Sequence, residues 1–115
     1  MSHLSVDLVP DDCCAVIRLD GEVDIASVDL VLDATHRAVA LEAIEHLVFD
    51  CRQLGFLDSS GVKTLLEAHR AFDGRVALLG PKRAVTRILE LTGIDTLFHV
   101  VDSIEEAEDI FHEAS

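Results

Sequence analysis

Short apolar runs that alternate with helix-period segments are the feature that most restricts how this chain can fold. The runs at residues 46–50 and 76–79 are almost continuously apolar, as in strands that are buried on both faces. Between them, Val62, Leu65 and Leu66 recur at the spacing of one helix face. Strands joined by helical crossovers form parallel sheets, so the second half of the chain is predicted to be parallel α/β.

The first part of the chain predicts an antiparallel pair of strands. Residues 4–9 alternate apolar and polar side chains, residues 14–21 form a second apolar segment, and Asp11 and Asp12 supply a turn between them. A helix is predicted over residues 26–40. Its inner face is predicted to comprise Val28, Val31, Leu32, Thr35, Ala38 and Val39.

The last third of the chain carries further boundary signals. Pro81 suits the first turn of a third helix, and Gly93 suits the left-handed residue that ends it. Residues 98–101 form the last predicted strand, and Ser103 with Glu106 forms a capping-box pattern before a final helix. With no linker, repeat or low-complexity segment, residues 1–115 are predicted to be one domain.

Charge and cysteine content exclude several classes of function. The chain has 22 acidic and 9 basic residues, a net charge of −13, which argues against binding to nucleic acid or to an anionic membrane surface. No apolar run reaches the roughly 20 residues that span a bilayer, and no signal peptide is recognisable, so a cytoplasmic location is expected. Cys13, Cys14 and Cys51 lack metal-ligand spacing and are expected to be reduced, packed thiols.

The stretch FLDSSGVKTLL, residues 56–66, places small polar residues where an apolar run gives way to a helix. A phosphate-binding loop is one interpretation, but the motif needs four residues between its glycines and a lysine directly after the second. Here five residues separate Gly55 from Gly61, and Val62 intervenes before Lys63.

Two catalytic interpretations also lack their partners. A serine hydrolase using Ser59 or Ser60 would need a histidine base in reach, and Gly-x-Ser-x-Gly is absent. A receiver-like domain with Asp50 as phosphoacceptor would need an acidic pair and a lysine after the last strand. That strand ends instead in Val101 and Asp102.

A phosphoacceptor serine and a plain helix cap both fit the local residues. Ser59 or Ser60 would lie at the N-cap, where a hydroxyl accepts a hydrogen bond from a backbone N–H of the first turn. A helix N-terminus tolerates added negative charge, while Asp58 would make the surface strongly acidic and Lys63, one turn along, would soften this. On these residues alone, Asp58 and Ser59 could equally do no more than cap the helix.

Three segments together resemble a known family. VFDCRQLGFLDSSGVKTLLEAHR, LDGEVDIAS and ILELTGIDTLFHVVDSIEEA, in this order, are similar to the STAS domain of bacterial anti-sigma factor antagonists. The resemblance covers nearly the whole chain. It implies an α/β STAS fold: a mixed, mostly parallel sheet of about five strands, with about four helices packed mainly on one face.

The resemblance also implies a function. Such an antagonist binds an anti-sigma factor, which is typically a serine kinase, and frees the sigma factor. Phosphorylation of Ser59 (second choice Ser60) would end the binding, and a serine phosphatase would reset it. The surrounding site would comprise Gly21, Glu22, Asp24, Asp58, Ser60, Gly61 and Lys63. No enzymatic activity, cofactor or metal is expected. The alternative is an unphosphorylated STAS scaffold or a module that senses a nucleotide or another small anion.

Overall fold

A computed structural model describes residues 4–11 and 14–113 of the chain. Within them, one mixed sheet has its strands in the order of the sequence: β1 (Leu4–Asp11), β2 (Cys14–Val23), β3 (His46–Leu57), β4 (Val76–Leu79) and β5 (His99–Val101). The β1–β2 pair is antiparallel, and β2 through β5 are parallel. The predicted sheet is therefore confirmed, and each parallel pair of neighbouring strands is joined by a helical crossover.

Four helices cover the sheet within the described residues: α1 (Val28–Val39), α2 (Ser59–Ala71), α3 (Arg83–Leu91) and α4 (Ile104–Glu113). Buried side chains of α1, α2 and α3 join one large apolar cluster with one face of the sheet. Ala107 and Phe111 of α4 join a smaller cluster on the other face. Three helices on one face and one on the other confirm the predicted arrangement. None of the helices in the described part is long and apolar enough to span a bilayer.

Strand β3 carries the core of the molecule and also leads to the site. Leu47 and Phe49 face the three-helix cluster, while Val48 between them faces α4, as the alternation of a strand requires. The strand pairs with β4 only as far as Asp50 and continues beside β2 to Leu57. The predicted end at residue 50 was therefore too early, because the later residues are stabilised by pairing with the extended end of β2.

Several predicted boundaries are wrong in ways that have a local cause. Asp11 lies in β1, because the antiparallel pairing runs on to Asp11 and Cys14. The second residue of the predicted turn, Asp12, lies outside the described residues. The side chain of Val39 is 49% exposed, because α1 ends there and leaves the sheet. Pro81 precedes the helix rather than opening it: Lys82 is the N-cap of α3.

The predicted helix ends at Gly93 and Ser103 are confirmed. Gly93 has φ of 76°, its N–H bonds to the carbonyl of Glu90, and the N–H of buried Ile94 bonds to that of Leu89. At the start of α4, Ser103 Oγ accepts from the N–H of Glu106 at 3.1 Å. The carboxylate of Glu106 accepts in return from the N–H of Asp102, one residue earlier than a capping box has it.

Candidate functional site

Asp58 caps helix α2 at the end of strand β3. Its backbone is extended, with φ of −98° and ψ of −175°, and its Oδ1 accepts from the N–H groups of Ser60 at 2.9 Å and Gly61 at 3.0 Å. The prediction that Ser59 or Ser60 occupies the N-cap is therefore wrong: they are the first two residues of the helix. One oxygen of the Asp58 carboxylate accepts hydrogen bonds from two N–H groups that have no partner within the helix. Asp58 therefore caps the helix, and neither serine hydroxyl has this role.

The same aspartate joins α2 to the loop that follows β2. Its Oδ2 accepts from the N–H of Ile25 at 3.2 Å, 33 residues away in sequence. Its own N–H donates to the carbonyl oxygen of Val23 at 3.1 Å. The N-terminus of α2 and the loop are thereby held together, which brings Asp58 close to the predicted residues 21–24.

A second hydrogen-bond cluster shapes that loop from within. Asp24 Oδ1 accepts from the N–H of Ala26 at 3.0 Å, and Ser27 Oγ accepts from the N–H of Asp24 at 3.0 Å. The buried Ser27 hydroxyl lies 3.0 Å from the carbonyl oxygen of Glu22, to which it can donate. Sequence reasoning missed Ser27. The signal was an Asp with a Ser three residues later directly before a helix, a pattern typical of side-chain-stabilised turns.

Ser59 differs from Ser60 in accessibility. The Ser59 side chain is exposed, and no group within the described residues hydrogen bonds to its hydroxyl. Ser60 is half-buried, and its carbonyl oxygen accepts from Thr64 Oγ1 at 3.0 Å. Of the two hydroxyls, Ser59 is therefore the one that a second protein reaches more easily.

Gly61 lets helix α2 approach the strands beneath it. A Cβ at this position would come within 2.3 Å of Leu57 Cδ1 and 3.0 Å of Val23 Cγ1, and both of those side chains are buried. Gly61 lies in an ordinary right-handed helix, so its backbone angles would suit any residue. Glycine is needed here because the helix packs closely on the strands. A larger residue would push the first turn of α2, and Ser59 with it, away from the sheet.

The remaining predicted residues lie around this centre. Gly21 has φ of 126° and sits at a register shift between β2 and β3, so the left-handed backbone there turns the strand end toward the loop. Glu22 follows it and is exposed, while Asp24 is half-buried. Lys63 is exposed on α2, one turn beyond Ser59.

Apolar side chains stand exposed beside these polar groups, which the sequence did not indicate. Ile25 is 79% exposed at the tip of the loop, and Phe56, two residues before the Asp58 cap, is 44% exposed. Both were overlooked because each lies between polar or capping residues without any periodic pattern. An ordered polar turn that presents an isoleucine to solvent is suited to contact with another protein.

Asp50 lies in an ion-pair cluster elsewhere. It is 4% exposed and accepts from Arg52 Nε at 2.9 Å and Nη2 at 2.8 Å, with Arg18 Nε 3.8 Å away. The Arg52 guanidinium holds the pKa of Asp50 below its ordinary value, against the opposing effect of burial. A buried carboxylate that pairs with two arginines is poorly placed to accept a phosphoryl group.

The other chemical interpretations find no support in the geometry. His69 lies ten residues along α2 from Ser59, about 15 Å by helix rise, and its ring packs on Phe98 with centroids 5.4 Å apart. Cys51 is fully buried, and burial raises the pKa of its thiol to about 12, so it is unreactive. Cys14 is also buried, and Cys13 lies outside the described residues. Residues 4–11 and 14–113 contain no group of His, Cys, Asp or Glu side chains that could hold a metal ion.

Comparison with known proteins decides the family. The family model described as STAS domain matches residues 5–107. The chain belongs to the STAS domain family. An anti-sigma F factor antagonist of Paenibacillus polymyxa is 28% identical over 104 residues, which cover 88% of this chain and 89% of that protein.

Two solved structures extend the likeness. The anti-sigma factor antagonist SpoIIAA in its unphosphorylated form is 25% identical, with a TM-score of 0.76 over 96% of this chain and 97% of that one. The phosphorylated form of SpoIIAA, a Bacillus cell fate determinant, is also 25% identical, with a TM-score of 0.67 over 95% and 99% of the two chains. The STAS fold of this chain is thus shared with an antagonist that has been solved in both forms.

Proposed function

We propose that this STAS domain is an anti-sigma factor antagonist, which binds an anti-sigma factor, thereby frees a sigma factor, and is released when Ser59 is phosphorylated. The observation that carries the proposal is the Ser59 side chain itself, exposed in the first turn of α2 beside a hydrogen-bonded acidic loop. The similarity to antagonists, one of them solved in a phosphorylated form, supports it.

The binding surface in this proposal consists of residues 22–27, which are the end of β2 and the loop after it, and the first turn of α2. Ile25 supplies an apolar contact, and a small hydroxyl at Ser59 permits a partner to approach closely. The net charge of −13 favours a partner with a basic face, because complementary charge steers association. Under this proposal the chain is a kinase substrate and a binding module rather than an enzyme.

Phosphorylation would alter that surface through charge and bulk. A phosphoryl group adds about −1.5 to −2 charges next to Asp58, on a surface that also carries Asp24 and Glu22. A partner that covers Ser59 must then desolvate several like charges together. Complete switching of a partner from 1:99 to 99:1 occupancy needs about 5.5 kcal/mol of differential affinity. A dianion buried among carboxylates is the kind of change that supplies free energies of this size.

The location of Ser59 makes the modification compatible with the fold. The first turn of a helix has N–H groups without intrahelical partners, and the helix dipole favours negative charge there. The phosphorylated chain is therefore expected to keep α2 intact, so that the switch acts on the partner contact and leaves the domain folded. An anti-sigma factor kinase using ATP and magnesium, a phosphatase and a cytoplasmic location belong to the same proposal.

The first test is the intact mass of the protein recovered from its native cells, followed by peptide mapping. A single phosphate on Ser59 in part of the population is expected. A phosphate on Ser60 alone would mean that Ser60, and not Ser59, is the phosphorylated residue. No phosphate in any growth condition would contradict the regulated form of the proposal and leave the ligand-sensing alternative, for which ATP or GTP should raise the melting temperature.

The second test uses the partner recovered with the Ser59→Ala protein. After purification, this partner should bind Ser59→Ala as tightly as wild type and Ser59→Asp at least tenfold more weakly. Ser60→Asp serves as the matched control, since it adds the same charge one residue along on a half-buried side chain. Equal affinity of the partner for Ser59→Ala and Ser59→Asp would overturn the mechanism.

A further inference from the structure

We propose that Lys63 binds the phosphoryl group when Ser59 is phosphorylated, so that this chain neutralises part of its own modification. This inference rests on the proposed function, because it concerns the regulation of the same serine. It gives the phosphorylated form an internal ion pair, and it leaves a partner to meet only part of the charge of the phosphate.

The geometry of α2 brings the two side chains together. Ser59 is the first residue of the helix and Lys63 is four residues later, so their Cβ atoms lie on one face about 5–6 Å apart. Helical side chains lean toward the N-terminus, which directs the long Lys63 side chain back over the first turn. An acid at position i with a base at i+4 is also the more favourable orientation of such a pair.

Lys63 is available for this contact. It is exposed, and within the described residues it forms no ion pair, although Glu67 follows it by one turn. By contrast, Arg37 does pair with the acid one turn before it, Asp33, at 3.3 Å. Arg52 is held by Asp50. Lys63 is thus a cation that stands one turn from the modifiable hydroxyl and is not already paired.

Acidic side chains take part in the hydrogen bonds at the start of α2. Asp58 is occupied as the cap, Asp24 belongs to the loop that Asp58 holds in place, and Glu22 lies at the end of β2, just before that loop. From residue 56 to residue 66 the sequence contains one basic residue, Lys63. A phosphate at Ser59 therefore has the ammonium group of Lys63 one turn along its own helix, and removal of that group should be measurable in the ionisation of the phosphate.

The test uses protein with phosphoserine incorporated at position 59 during synthesis, which needs no kinase. The second ionisation of the phosphate is followed by phosphorus NMR in wild type, Lys63→Gln and Arg70→Gln. Arg70→Gln is the matched control, since it removes one positive charge from the same helix about 16 Å from Ser59. Circular dichroism of each variant confirms that α2 is folded.

The titration midpoint in Lys63→Gln should lie about 0.5 pH units above wild type, the shift expected for unit charges some 6 Å apart in water. The midpoint in Arg70→Gln should stay close to wild type. The difference should shrink in 1 M NaCl, where the Debye length is about 3 Å. A Lys63→Gln midpoint equal to wild type would overturn the inference, as would an equal shift in both variants.

These outcomes are separate from those of the proposed function. If Ser59 carries phosphate in cells but Lys63→Gln does not move the midpoint, the internal ion pair is wrong and the switch stands. If the midpoint moves but cells never phosphorylate Ser59, the electrostatic pairing is correct and the proposed regulation is wrong.

Discussion

The two faces of the sheet are built differently. The face under α1, α2 and α3 holds a large, continuous apolar cluster, and the site rests on it through Val23 and Leu57. The face under α4 holds a smaller cluster and two ionisable residues of β3, Asp50 and His46. Asp50 forms ion pairs with Arg18 and Arg52, whereas His46 Nε2 is buried without a hydrogen-bond partner in the described part of the chain.

Because of this difference, one face of the sheet mainly stabilises the fold, whereas the other is expected to respond to pH. The apolar face supplies most of the burial that holds the site in place, because stabilisation follows the apolar area removed from water. The α4 face contains His46, whose pKa is lowered by burial. The His46 ring packs on Phe111 with centroids 4.9 Å apart, and the ring of His99 meets Phe111 edge-on at 5.3 Å. Protonation of His46 is therefore expected to weaken the attachment of α4.

The largest effect is expected from Phe49→Ala on the three-helix face. Phe49 is fully buried, and its truncation should lower the free energy of unfolding by about 3–5 kcal/mol in urea denaturation. Phe111→Ala is the comparison on the other face. It should increase hydrogen exchange of α4 while β2, β3 and α2 stay protected. If Phe111→Ala exposes all elements equally, the two faces are one cooperative unit.

Asp58→Ala should have the next largest effect. It removes the cap of α2 and the bond to Ile25, and should lower the free energy of unfolding by about 1–2 kcal/mol, with faster hydrogen exchange in the first turn of α2. Asp58→Asn is the control, since asparagine also caps well. A loss as large in Asp58→Asn would mean that charge rather than the cap is the important property.

The pH dependence of His46 tests the α4 face. Burial, aided by His112 and Arg75 against the opposing Glu45, lowers the pKa of His46 below 6.5. The unfolded chain then takes up a proton near pH 6.5 that the folded chain refuses, so stability is lost as the pH falls below this value. His46→Gln should lose less stability than wild type between pH 7.5 and 5. His36→Gln, which removes an exposed imidazole from α1, is the comparison variant.

The smallest effect is expected from Ser59→Ala. Its hydroxyl is exposed and unbonded within the described residues, so the free energy of unfolding should change by less than about 0.5 kcal/mol. Ser27→Ala removes the same group from a buried, bonded position and should lower it by about 1 kcal/mol. A comparable loss in Ser59→Ala would mean that Ser59 supports the fold, which would weaken its assignment as a modification site.

Much of the fold was predictable from short-range patterns. The order of elements, the mixed sheet and the helix end at Gly93 follow from periodicity and capping signals. Asp58, Gly61 and Lys63 were named from the local sequence and Asp24 from the family resemblance, and their roles in binding stay predictions. The roles of individual residues within the site were harder to predict from the sequence. The sequence left both a serine and Asp58 as candidates for the cap, because Ser and Asp are both good caps, and only the geometry shows that Asp58 fills this position.

The sequence by itself determined the order of the elements, because helix and strand periods and turn residues act over a few positions, and three of its segments indicated the family. The tertiary structure decided which polar groups share a surface. The bond between Asp58 and Ile25 spans 33 residues, and the contact that makes Gly61 necessary depends on Val23 and Leu57 from two different strands. The tertiary structure also decided that Ser59 is exposed, whereas Asp50 is buried and paired with Arg52. Exposure and pairing depend on neighbours that the folded chain brings from a distance.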